Sequence, residues 1–492
     1  MLPLIQKASQ HPHRAAIVVG EKSFSYQQLL DDSASFASLL LDNETDLNQK
    51  TVAFMVEPGF DYVKVQWAIW RAGGIAVPLC ISYPLASLQY VIEDVKADIV
   101  VASPVCQNVL QPLIAQNTFR FILSESNTNI GKAVLPIINV KRRAMILYTS
   151  GTTNLPKGVV TTHQNLEAQI SSLVNAWKYS KNDRTICVLP LHHVHGIINV
   201  ISCTLWAGGC IEFLPFSAEA VFANFLKGDT NIFMAVPTIY FKLIAYWETL
   251  PLEQQKALGK AMKKFRLMVS GSAALPISVM EKWEQISGHR LLERYGMTEI
   301  GMAISNPYHG ERRAGHIGQP LLGVLVKLAD EQGNEIKTDE PGEILIKGDT
   351  VFLEYWNKKE ATQASFTTDG WFKTGDVAVL DAGYYRILGR NSIDIIKSGG
   401  YKISALEIEE VLRTHPDIAD CSVVGIPDEE WGELVVAVLI LNTTSLDFKE
   451  LNNWIRDKMP AYKTPRRYHI TAELPRNAMG KVTKNELKAF FE

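Results

Sequence analysis

The chain has 492 residues, 47% of them apolar and 21% charged, so it is long enough for two or more domains with sizeable cores. A net charge of -3 at pH 7 excludes a strong overall basic field, so neither nucleic acid nor an anionic membrane surface is expected as the main partner. Six cysteines are scattered without a CxxC pair, which favours reduced thiols in a cytoplasmic setting over disulfides or zinc sites.

The first part of the chain alternates between helical and apolar segments. Residues 1–15 contain no long apolar signal region and are not arginine-rich, so no export or organelle address is expected. A turn with an amphipathic helix is predicted over 23–41 and a second helix over 62–72. Strands are predicted over 51–56, 75–79, 99–102 and 119–123. This alternation is typical of a mostly parallel, doubly wound sheet.

A predicted strand over 144–148 runs into a loop rich in hydroxyls and glycine. The string reads Leu147-Tyr148-Thr149-Ser150-Gly151-Thr152-Thr153-Asn154-Leu155-Pro156-Lys157-Gly158. Backbone N–H groups in such a turn can form a nest for phosphate oxygens, and Lys157 adds positive charge. It is not a Walker loop, because Pro156 precedes the lysine and the chain continues toward a strand. An ordinary solvated turn is the alternative for this pattern taken alone.

The middle of the chain repeats the arrangement of a strand followed by a polar segment. A helix is predicted over 164–177, and a strand over 185–191 ends at the string His192-His193-Val194-His195-Gly196. Strands are also predicted over 233–237 and 267–269. The apolar stretch 197–214 is interrupted by polar residues and glycines, so it is interpreted as core and no membrane span is expected. Because ligands bind at the carboxyl ends of strands in open α/β sheets, these strand ends are candidate site segments.

The last third of the chain has a different pattern of predicted elements. Short strands over 324–329 and 342–347 predict a smaller β-rich subdomain. A compact tail follows, with a helix that begins at Ser404 with capping-box spacing and strands over 421–426 and 434–441. The fold class is therefore predicted as α/β, with a large N-terminal domain over 1–390 and a small α+β domain over 391–492.

Further strings carry polar groups that suit nucleotide chemistry, although each alone is more typical of a turn or a solvated lysine. They are Ser270-Gly271-Ser272-Ala273-Ala274, Tyr295-Gly296-Met297-Thr298-Glu299, Trp371-Phe372-Lys373-Thr374-Gly375-Asp376, Leu388-Gly389-Arg390, Ser398-Gly399-Gly400-Tyr401-Lys402 and Pro475-Arg476-Asn477-Ala478-Met479-Gly480-Lys481. A carboxylate such as Glu299 suits Mg²⁺ on a triphosphate. A carboxylate such as Asp376 accepts well from paired hydroxyls.

Together these strings resemble the adenylate-forming superfamily of acyl-CoA synthetases, adenylation domains and luciferases over essentially the whole chain. The resemblance implies ATP with Mg²⁺, and CoA as co-substrate. It departs from the family pattern in two places: Asn154 stands where glycine is usual, and the segment from Arg390 to Asp394 is one residue longer than the common spacing. The hinge between the domains is therefore placed only within Ser392 to Asp394.

The resemblance also implies a role for each site residue. It assigns the phosphate and nucleotide contacts to Thr149, Ser150, Gly151, Thr152, Thr153, Lys157, Ser272, Ala273, Tyr295 and Gly296. Ribose contacts fall to Asp376 and Arg390, and the CoA channel to Gly400 and Tyr401. Catalysis falls to Thr298 on the α-phosphate, Glu299 as the Mg²⁺ ligand, and Lys481, which bridges the carboxylate and ATP and stabilises charge as the α-phosphate is attacked.

Within the superfamily the chain looks most like the malonyl-CoA synthetases, on the strings 189–196, 234–240, 268–275 and 292–299. A dicarboxylic acid keeps its second carboxylate charged, and that charge needs a buried partner. Lys242, Arg294 and His195 are the candidates, and His193 is expected to line the acyl pocket. Lys242 could instead lie on a solvated helix face, Arg294 could pair with an acid, and His195 could be a hydrogen-bonded core histidine.

The predicted function is thus an ATP-dependent ligase that activates malonate, or methylmalonate, and transfers it to CoA. The alternatives are a synthetase for another small or aromatic acid, a carrier-loading adenylation enzyme and, last, a non-catalytic nucleotide sensor. No obligate protein partner is expected.

Overall fold

A computed structural model describes residues 1–116, 118–126, 134–149, 156–337, 339–391, 393–399, 401–476 and 482–491, without the side chain of Lys402. In chain order the strands are β1 (Ala15–Val19), β2 (Lys22–Ser25), β3 (Thr51–Met55), β4 (Ile75–Pro78), β5 (Ile99–Ala102), β6 (Arg120–Leu123), β7 (Arg143–Thr149), β8 (Lys157–Thr162), β9 (Arg184–Cys187), β10 (Cys210–Phe213), β11 (Ile232–Ala235), β12 (Leu267–Ser270), β13 (Leu292–Met297), β14 (Gly301–Ser305), β15 (Gln319–Pro320), β16 (Val324–Ala329), β17 (Glu335–Ile336), β18 (Gly342–Gly348), β19 (Glu354–Tyr355), β20 (Phe372–Asp381), β21 (Tyr384–Arg390), β22 (Ile395–Ser398), β23 (Tyr401–Ser404), β24 (Ile418–Asp428), β25 (Gly432–Leu441) and β26 (Arg467–Ile470).

The helices lie between and after these strands. They are α1 (Pro3–Ala8), α2 (Tyr26–Leu41), α3 (Phe60–Arg71), α4 (Leu85–Asp94), α5 (Pro104–Ile114), α6 (His163–Ala176), α7 (Cys203–Trp206), α8 (Ala218–Lys227), α9 (Pro237–Thr249), α10 (Leu252–Met262), α11 (Ile277–Ser287), α12 (Lys359–Ala364), α13 (Ala405–Leu412), α14 (Phe448–Arg456) and α15 (Lys484–Leu487). A π-helix covers His195–Ser202, and short 3₁₀ turns cover Ala461–Lys463 and Lys488–Phe491. Within the described ranges, none of the helices combines the length and apolar character that a bilayer span requires.

Two mostly parallel sheets form the larger part of the fold. The first has the order β15-β14-β13-β12-β11-β9-β10-β1-β2, and its strands from β13 to β1 pair in parallel. The second has the order β19-β8-β7-β4-β3-β5-β6, with parallel pairing from β7 to β6. Helices that connect parallel strands cover the sheet faces, as βαβ crossovers require.

The local sequence explains why these elements form. Ser25 caps α2 and exchanges hydrogen bonds with Gln28 in a capping box, and the helix buries Leu29, Phe36 and Leu40. Strand β3 is buried along its whole length, as expected for a parallel strand covered on both faces. The predicted helices and strands of this region are confirmed.

One predicted strand is shorter than expected. The strand predicted over 185–191 ends at Cys187, where its pairing with β10 also ends, and Pro190 has no N–H with which to extend the ladder. The chain then turns into the buried π-helix, so the stretch 197–214 is core, as predicted.

The last third of the chain forms the β-rich part and the small tail that the sequence predicts. A third sheet has the antiparallel order β17-β16-β18-β20-β21, and a fourth has the order β23-β22-β25-β24 with β26 beside β25. Helix α13 begins after Ser404, whose hydroxyl accepts the N–H of Glu407 at 3.2 Å. The α/β fold class is confirmed, whereas the boundary at residue 390, between β21 and β22, stays a prediction.

Candidate active site

The predicted site segments of the first sheet lie at one edge. Strands β9, β11, β12 and β13 are parallel neighbours, so their carboxyl ends point the same way. The segment 192–195 follows β9, residues 271–273 follow β12, and residues 298–299 follow β13. Since consecutive strand ends are adjacent in space, the sheet brings these sequence-distant strings together.

Arg294, Ser272 and His195 form a hydrogen-bonded cluster at this edge. The Arg294 guanidinium donates from Nη2 to the Ser272 hydroxyl at 3.4 Å, and the same hydroxyl lies 3.2 Å from His195 Nδ1. Arg294 is 3% exposed and His195 is 4% exposed. Arg294 Nε and His195 Nε2 are buried without a hydrogen-bond partner among the described residues. The cluster therefore has donor capacity left for a ligand.

Burial decides the charge of the two basic groups. Burial lowers the pKa of Arg294 to about 9, while Glu293 acts to raise it, so the guanidinium stays protonated at neutral pH. Burial, followed by the charges of Arg294 and His193, holds the pKa of His195 well below its ordinary value. The cluster thus presents one cation, Arg294, and one neutral imidazole.

Backbone shape makes room for this cluster. A Cβ on Gly271 would lie 2.6 Å from Arg294 Cζ, so only glycine lets the guanidinium pack against this turn. Ser272 has a φ of 72°, in the left-handed region that non-glycine residues seldom adopt. Ala273 is half-buried beside it. In the neighbouring strand a Cβ on Gly296 would lie 2.1 Å from the Gly301 carbonyl oxygen, which leaves glycine as the fitting residue.

The remaining predicted acyl-pocket residues are placed differently. His193 is half-buried, and its ring centroid lies 4.0 Å from that of His192. Lys242 is exposed on α9, with its ammonium 5.9 Å from the centre of the Phe216 ring. The described contacts of Lys242 do not join it to the cluster of Arg294, Ser272 and His195.

Tyr295, Asp376 and Arg390 form a second group. Tyr295 donates its hydroxyl to Asp376 Oδ2 at 2.5 Å, and Arg390 Nε donates to Asp376 Oδ1 at 3.1 Å. Asp376 and Arg390 face each other in the β20/β21 pair. Burial acts to lower the pKa of Arg390, but Asp376, Tyr295 and Glu299 raise it above its ordinary value. Two donors thus orient the Asp376 carboxylate.

Lys157 and Glu299 form a third group, and Tyr355 stands between them. Lys157 begins β8, and its ammonium lies 5.0 Å from the centre of the Tyr355 ring. The Tyr355 hydroxyl donates to Glu299 Oε1 at 2.9 Å. Burial raises the pKa of Glu299, while the Tyr355 hydroxyl, Arg390 and Lys157 act in the opposite direction. Thr298, next to Glu299, is half-buried.

The loop between β7 and β8 is only partly described. Thr149 pairs with Lys157 where the two strands meet this loop, and Thr149 is half-buried. Tyr401 is exposed, and its ring stacks on Tyr462 at 4.3 Å. The other predicted residues Ser150, Gly151, Thr152, Thr153, Gly400 and Lys481 lie outside the described residues, as does Ser392 of the predicted hinge.

Sequence reasoning missed three features of this site. Tyr355 was not among the predicted residues, because it reaches the site through the pairing of β19 with β8, which no local pattern reveals. The hydrogen bonds that join the Ser272 hydroxyl to Arg294 and His195 were not predicted, and its place beside the nucleotide stays a prediction. Glu293 is buried next to Arg294, and burial raises its pKa to about 8. The available sequence signal for Glu293 was its place in the string 292–299, directly before the candidate cation Arg294.

Comparisons with known proteins show which family the chain resembles. The AMP-binding enzyme family model matches residues 4–356, and the model of the AMP-binding enzyme C-terminal domain matches residues 407–481. The malonate–CoA ligase ACSF3, mitochondrial, of Xenopus laevis is 43% identical, covering 100% of this chain and 92% of the relative. The malonate–CoA ligase of Arabidopsis thaliana is 40% identical, covering 99% of this chain and 88% of the relative.

Solved structures of known enzymes superimpose on this chain over nearly its whole length. The ATP-bound MatB from Rhodopseudomonas palustris superimposes with a TM-score of 0.91 at 31% identity, covering 100% of this chain and 99% of MatB. The o-succinylbenzoate CoA synthetase MenE from Bacillus subtilis, in complex with its acyl-adenylate intermediate, has a TM-score of 0.86 at 26% identity, with 99% and 98% covered. From the length of the family match and the identity to full-length relatives, we conclude that the chain belongs to the AMP-binding enzyme family.

Proposed function

We propose that this protein is an AMP-forming acid–thiol ligase that converts malonate, ATP and CoA to malonyl-CoA, AMP and pyrophosphate. In the first step a malonate carboxylate oxygen attacks the α-phosphorus, and the bond to pyrophosphate breaks. In the second step the CoA sulfur attacks the acyl carbon of the mixed anhydride, its proton is lost, and AMP leaves. No covalent enzyme intermediate is needed.

The buried guanidinium of Arg294 is the observation that carries the choice of a dicarboxylate. Among the described residues, none of the carboxylates lies within ion-pair distance of it. A buried cation without a counter-ion is costly, and the second carboxylate of malonate would neutralise it at the carboxyl edge of the sheet. Neutral His195 and Ser272 would add hydrogen bonds. The relatives named as malonate–CoA ligases support the same acid.

The other two groups fit the nucleotide. We assign the ribose hydroxyls to Asp376, oriented by Arg390 and Tyr295. We assign phosphate binding to Lys157 and to the loop residues Thr149, Ser150, Gly151, Thr152 and Thr153, and contact with the α-phosphate to Thr298. The adenine lies near Ser272, Ala273 and Gly296, where small residues let a flat base approach the backbone.

Mg²⁺ fits the donor set around Glu299. Among the described residues, no group of three or more histidine, cysteine or acidic side chains is arranged so that it could hold a metal ion. Mg²⁺ instead commonly binds one or two carboxylates together with substrate phosphates, and Glu299 supplies such a carboxylate. When bound, the ion would neutralise charge on the phosphates.

The C-terminal part of the mechanism remains a proposal. We assign Lys481 to charge stabilisation in the first step, and Gly400 and Tyr401 to the CoA channel in the second. We also propose that residues 1–390 and 391–492 act as separate domains that rotate about the segment from Ser392 to Asp394. Limited proteolysis that cuts first near this segment, and is suppressed by ATP with malonate, would support the boundary.

The decisive experiment measures AMP release from Mg-ATP with CoA and malonate, methylmalonate, succinate, acetate, octanoate or benzoate. We expect turnover with malonate, alone or with methylmalonate. Arg294→Met should remove it, because the distal carboxylate would lose its cation. Lys242→Met is the matched control, since Lys242 is exposed, and it should keep wild-type turnover. Turnover with the monocarboxylic acids and none with malonate would overturn the substrate assignment and leave the ligase chemistry intact.

A cytoplasmic location is a separate part of the proposal. It rests on the scattered thiols, which favour a reducing compartment. The vertebrate relatives are named as mitochondrial proteins. Imaging of the native gene product with a C-terminal fluorescent tag decides between the two compartments.

A further inference from the structure

We infer that Tyr355 is a positioning residue that keeps Lys157 and Glu299 apart, so that the lysine stays available for phosphate and the carboxylate for Mg²⁺. The inference rests on the proposed use of Mg-ATP and adds a residue that neither the site motifs nor the named relatives assign. It comes from the contacts of one side chain with two oppositely charged groups.

Tyr355 meets both groups at once with different parts of its side chain. The ring lies 5.0 Å from the Lys157 ammonium, within the range of a cation–π contact, and the hydroxyl donates to Glu299 Oε1 at 2.9 Å. A hydrogen bond to a carboxylate is stronger than one between neutral groups. Each charged group is therefore satisfied by the same neutral side chain.

The position of Tyr355 is fixed from outside the site. Strand β19 pairs with β8, so Tyr355 stands opposite Val159, two residues after Lys157. Its N–H donates to the Thr362 hydroxyl at 2.9 Å, and its ring packs against Phe352 at 4.8 Å. The side chain is 9% exposed. A residue held by two elements in this way can maintain a distance between its contacts.

The charges that Tyr355 separates would otherwise attract each other. Glu299 lies close enough for the Lys157 charge to act on it, yet within the described part of the chain no ion pair joins them. A direct pair in this buried place would be strong. It would have to break before the lysine could bind phosphate and the carboxylate could bind metal, so each ligand would bind less tightly.

Two variants separate the two contacts. Tyr355→Phe keeps the ring and removes the hydroxyl, so it should weaken ATP binding in the presence of Mg²⁺ by about five- to tenfold and leave binding of ATP without metal unchanged. Tyr355→Leu removes ring and hydroxyl, so it should weaken binding of ATP both with and without Mg²⁺. Binding is measured by isothermal titration calorimetry without any carboxylic acid, so that no adenylate forms.

Tyr26→Phe is the matched control, because it also removes a buried hydroxyl, one that donates to the Gly209 carbonyl at 2.7 Å. It should lower the melting temperature without changing either dissociation constant for ATP. The inference is overturned if Tyr355→Phe binds Mg-ATP as tightly as wild type, or if its only change is a lower melting temperature.

These measurements do not depend on which acid the enzyme uses. If the proposed substrate is wrong, the acid panel fails while the effects of the Tyr355 variants on nucleotide binding remain. If the positioning role is wrong, malonate turnover persists with an unchanged Kd for Mg-ATP in Tyr355→Phe.

Discussion

Glu293 and Arg294 are sequence neighbours in β13, yet they do not neutralise each other. Successive side chains of a strand point to opposite faces, so the two groups lie in different surroundings. Glu293 Oε1 accepts the Leu275 N–H at 3.1 Å, and burial raises its pKa to about 8, which keeps it mostly protonated at neutral pH. The positive charge of Arg294 is therefore available to a ligand.

The lowered pKa of Arg294 predicts an alkaline limit to malonate use. Its pKa is about 9 in the free protein, so the guanidinium loses its proton above that pH and the distal carboxylate loses its partner. We expect kcat/KM for malonate to fall about tenfold per pH unit above that value.

The measurement is a pH profile of kcat/KM at saturating Mg-ATP and CoA. Residual malonate turnover of Arg294→Gln should lack this alkaline limb, because its side chain does not titrate. A wild-type profile that stays flat through the same range, or an identical limb in the variant, contradicts the role given to Arg294.

His163 predicts how stability depends on pH away from the site. It begins α6, lies edge-on to Trp70 at 6.0 Å and is buried, and burial lowers its pKa from 6.5 to about 3. The folded state therefore holds it neutral while the unfolded chain takes up a proton below pH 6.5. The contribution of neutral His163 to the free energy of unfolding is fully present above that pH. It is lost as the pH falls toward the pKa that His163 has in the folded state.

We expect His163→Gln to reduce the loss of unfolding free energy between pH 7.5 and 5 by about 2 kcal/mol relative to wild type. Urea unfolding at the two pH values measures this difference. An equal loss of stability in the variant and the wild type would show that His163 does not titrate in this way.

At the scale of elements, hydrogen bonds join the hairpin β7/β8 to α4. Tyr148 at the end of β7 donates its hydroxyl to Asp94 Oδ2 at 2.5 Å, and Tyr90 donates to the Pro156 carbonyl oxygen at 2.8 Å. Pro156 immediately precedes Lys157. Helix α4 thus holds both sides of the predicted phosphate loop.

We therefore expect Tyr90→Phe to raise the KM for ATP by about two- to fivefold, with a smaller change in kcat, because one hydrogen bond that positions the loop is lost. Steady-state kinetics at varied Mg-ATP measure both constants. Tyr468→Phe removes a comparable hydroxyl bond, to Asn452 at 2.6 Å in the C-terminal part, and should leave the KM for ATP unchanged. Equal effects of the two variants would contradict a local role for Tyr90.

Elements with their own start and stop signals could be predicted from the sequence. The capping residues Ser25 and Ser404 mark helix starts, and the apolar runs of β3, β4 and β7 mark buried strands. The sequence did not separate Arg294 from Lys242 as the buried cation, because burial depends on how α9 and β13 pack. Nor could it place Tyr355, since the pairing of β19 with β8 joins segments far apart in the chain.

At the scale of the whole molecule, one buried lysine connects the tail to the segment after β21. The Lys484 ammonium lies 2.7 Å from Asp394 Oδ1 and 2.7 Å from Glu409 Oε1, and its side chain is 10% exposed. Asp394 also accepts the Arg390 N–H at 3.0 Å. Through these bonds Lys484 of α15, helix α13 and the residue that orients Asp376 are linked, so α15 is anchored beside Asp394.

This arrangement predicts that Lys484→Met strongly destabilises the C-terminal part of the chain. Removing the cation leaves Asp394 and Glu409 buried with less compensation, and we expect a loss of about 3 to 5 kcal/mol in the stability of the C-terminal part. Lys463→Met is the matched control: Lys463 pairs with Glu407 at 2.5 Å, but Arg386 still pairs with that carboxylate at 2.8 Å after the change, so the loss should be small.

The double variant Lys484→Met with Asp394→Asn should recover much of the stability, since Glu409 keeps Arg413 as a partner at 3.3 Å. Hydrogen exchange of α13 and β24 measures the change where it is expected. Equal protection of these elements in Lys484→Met and wild type would mean that the tail is held by its apolar contacts, with Leu487 and Phe491 packed against β24 and β25, and that the ion pair adds little.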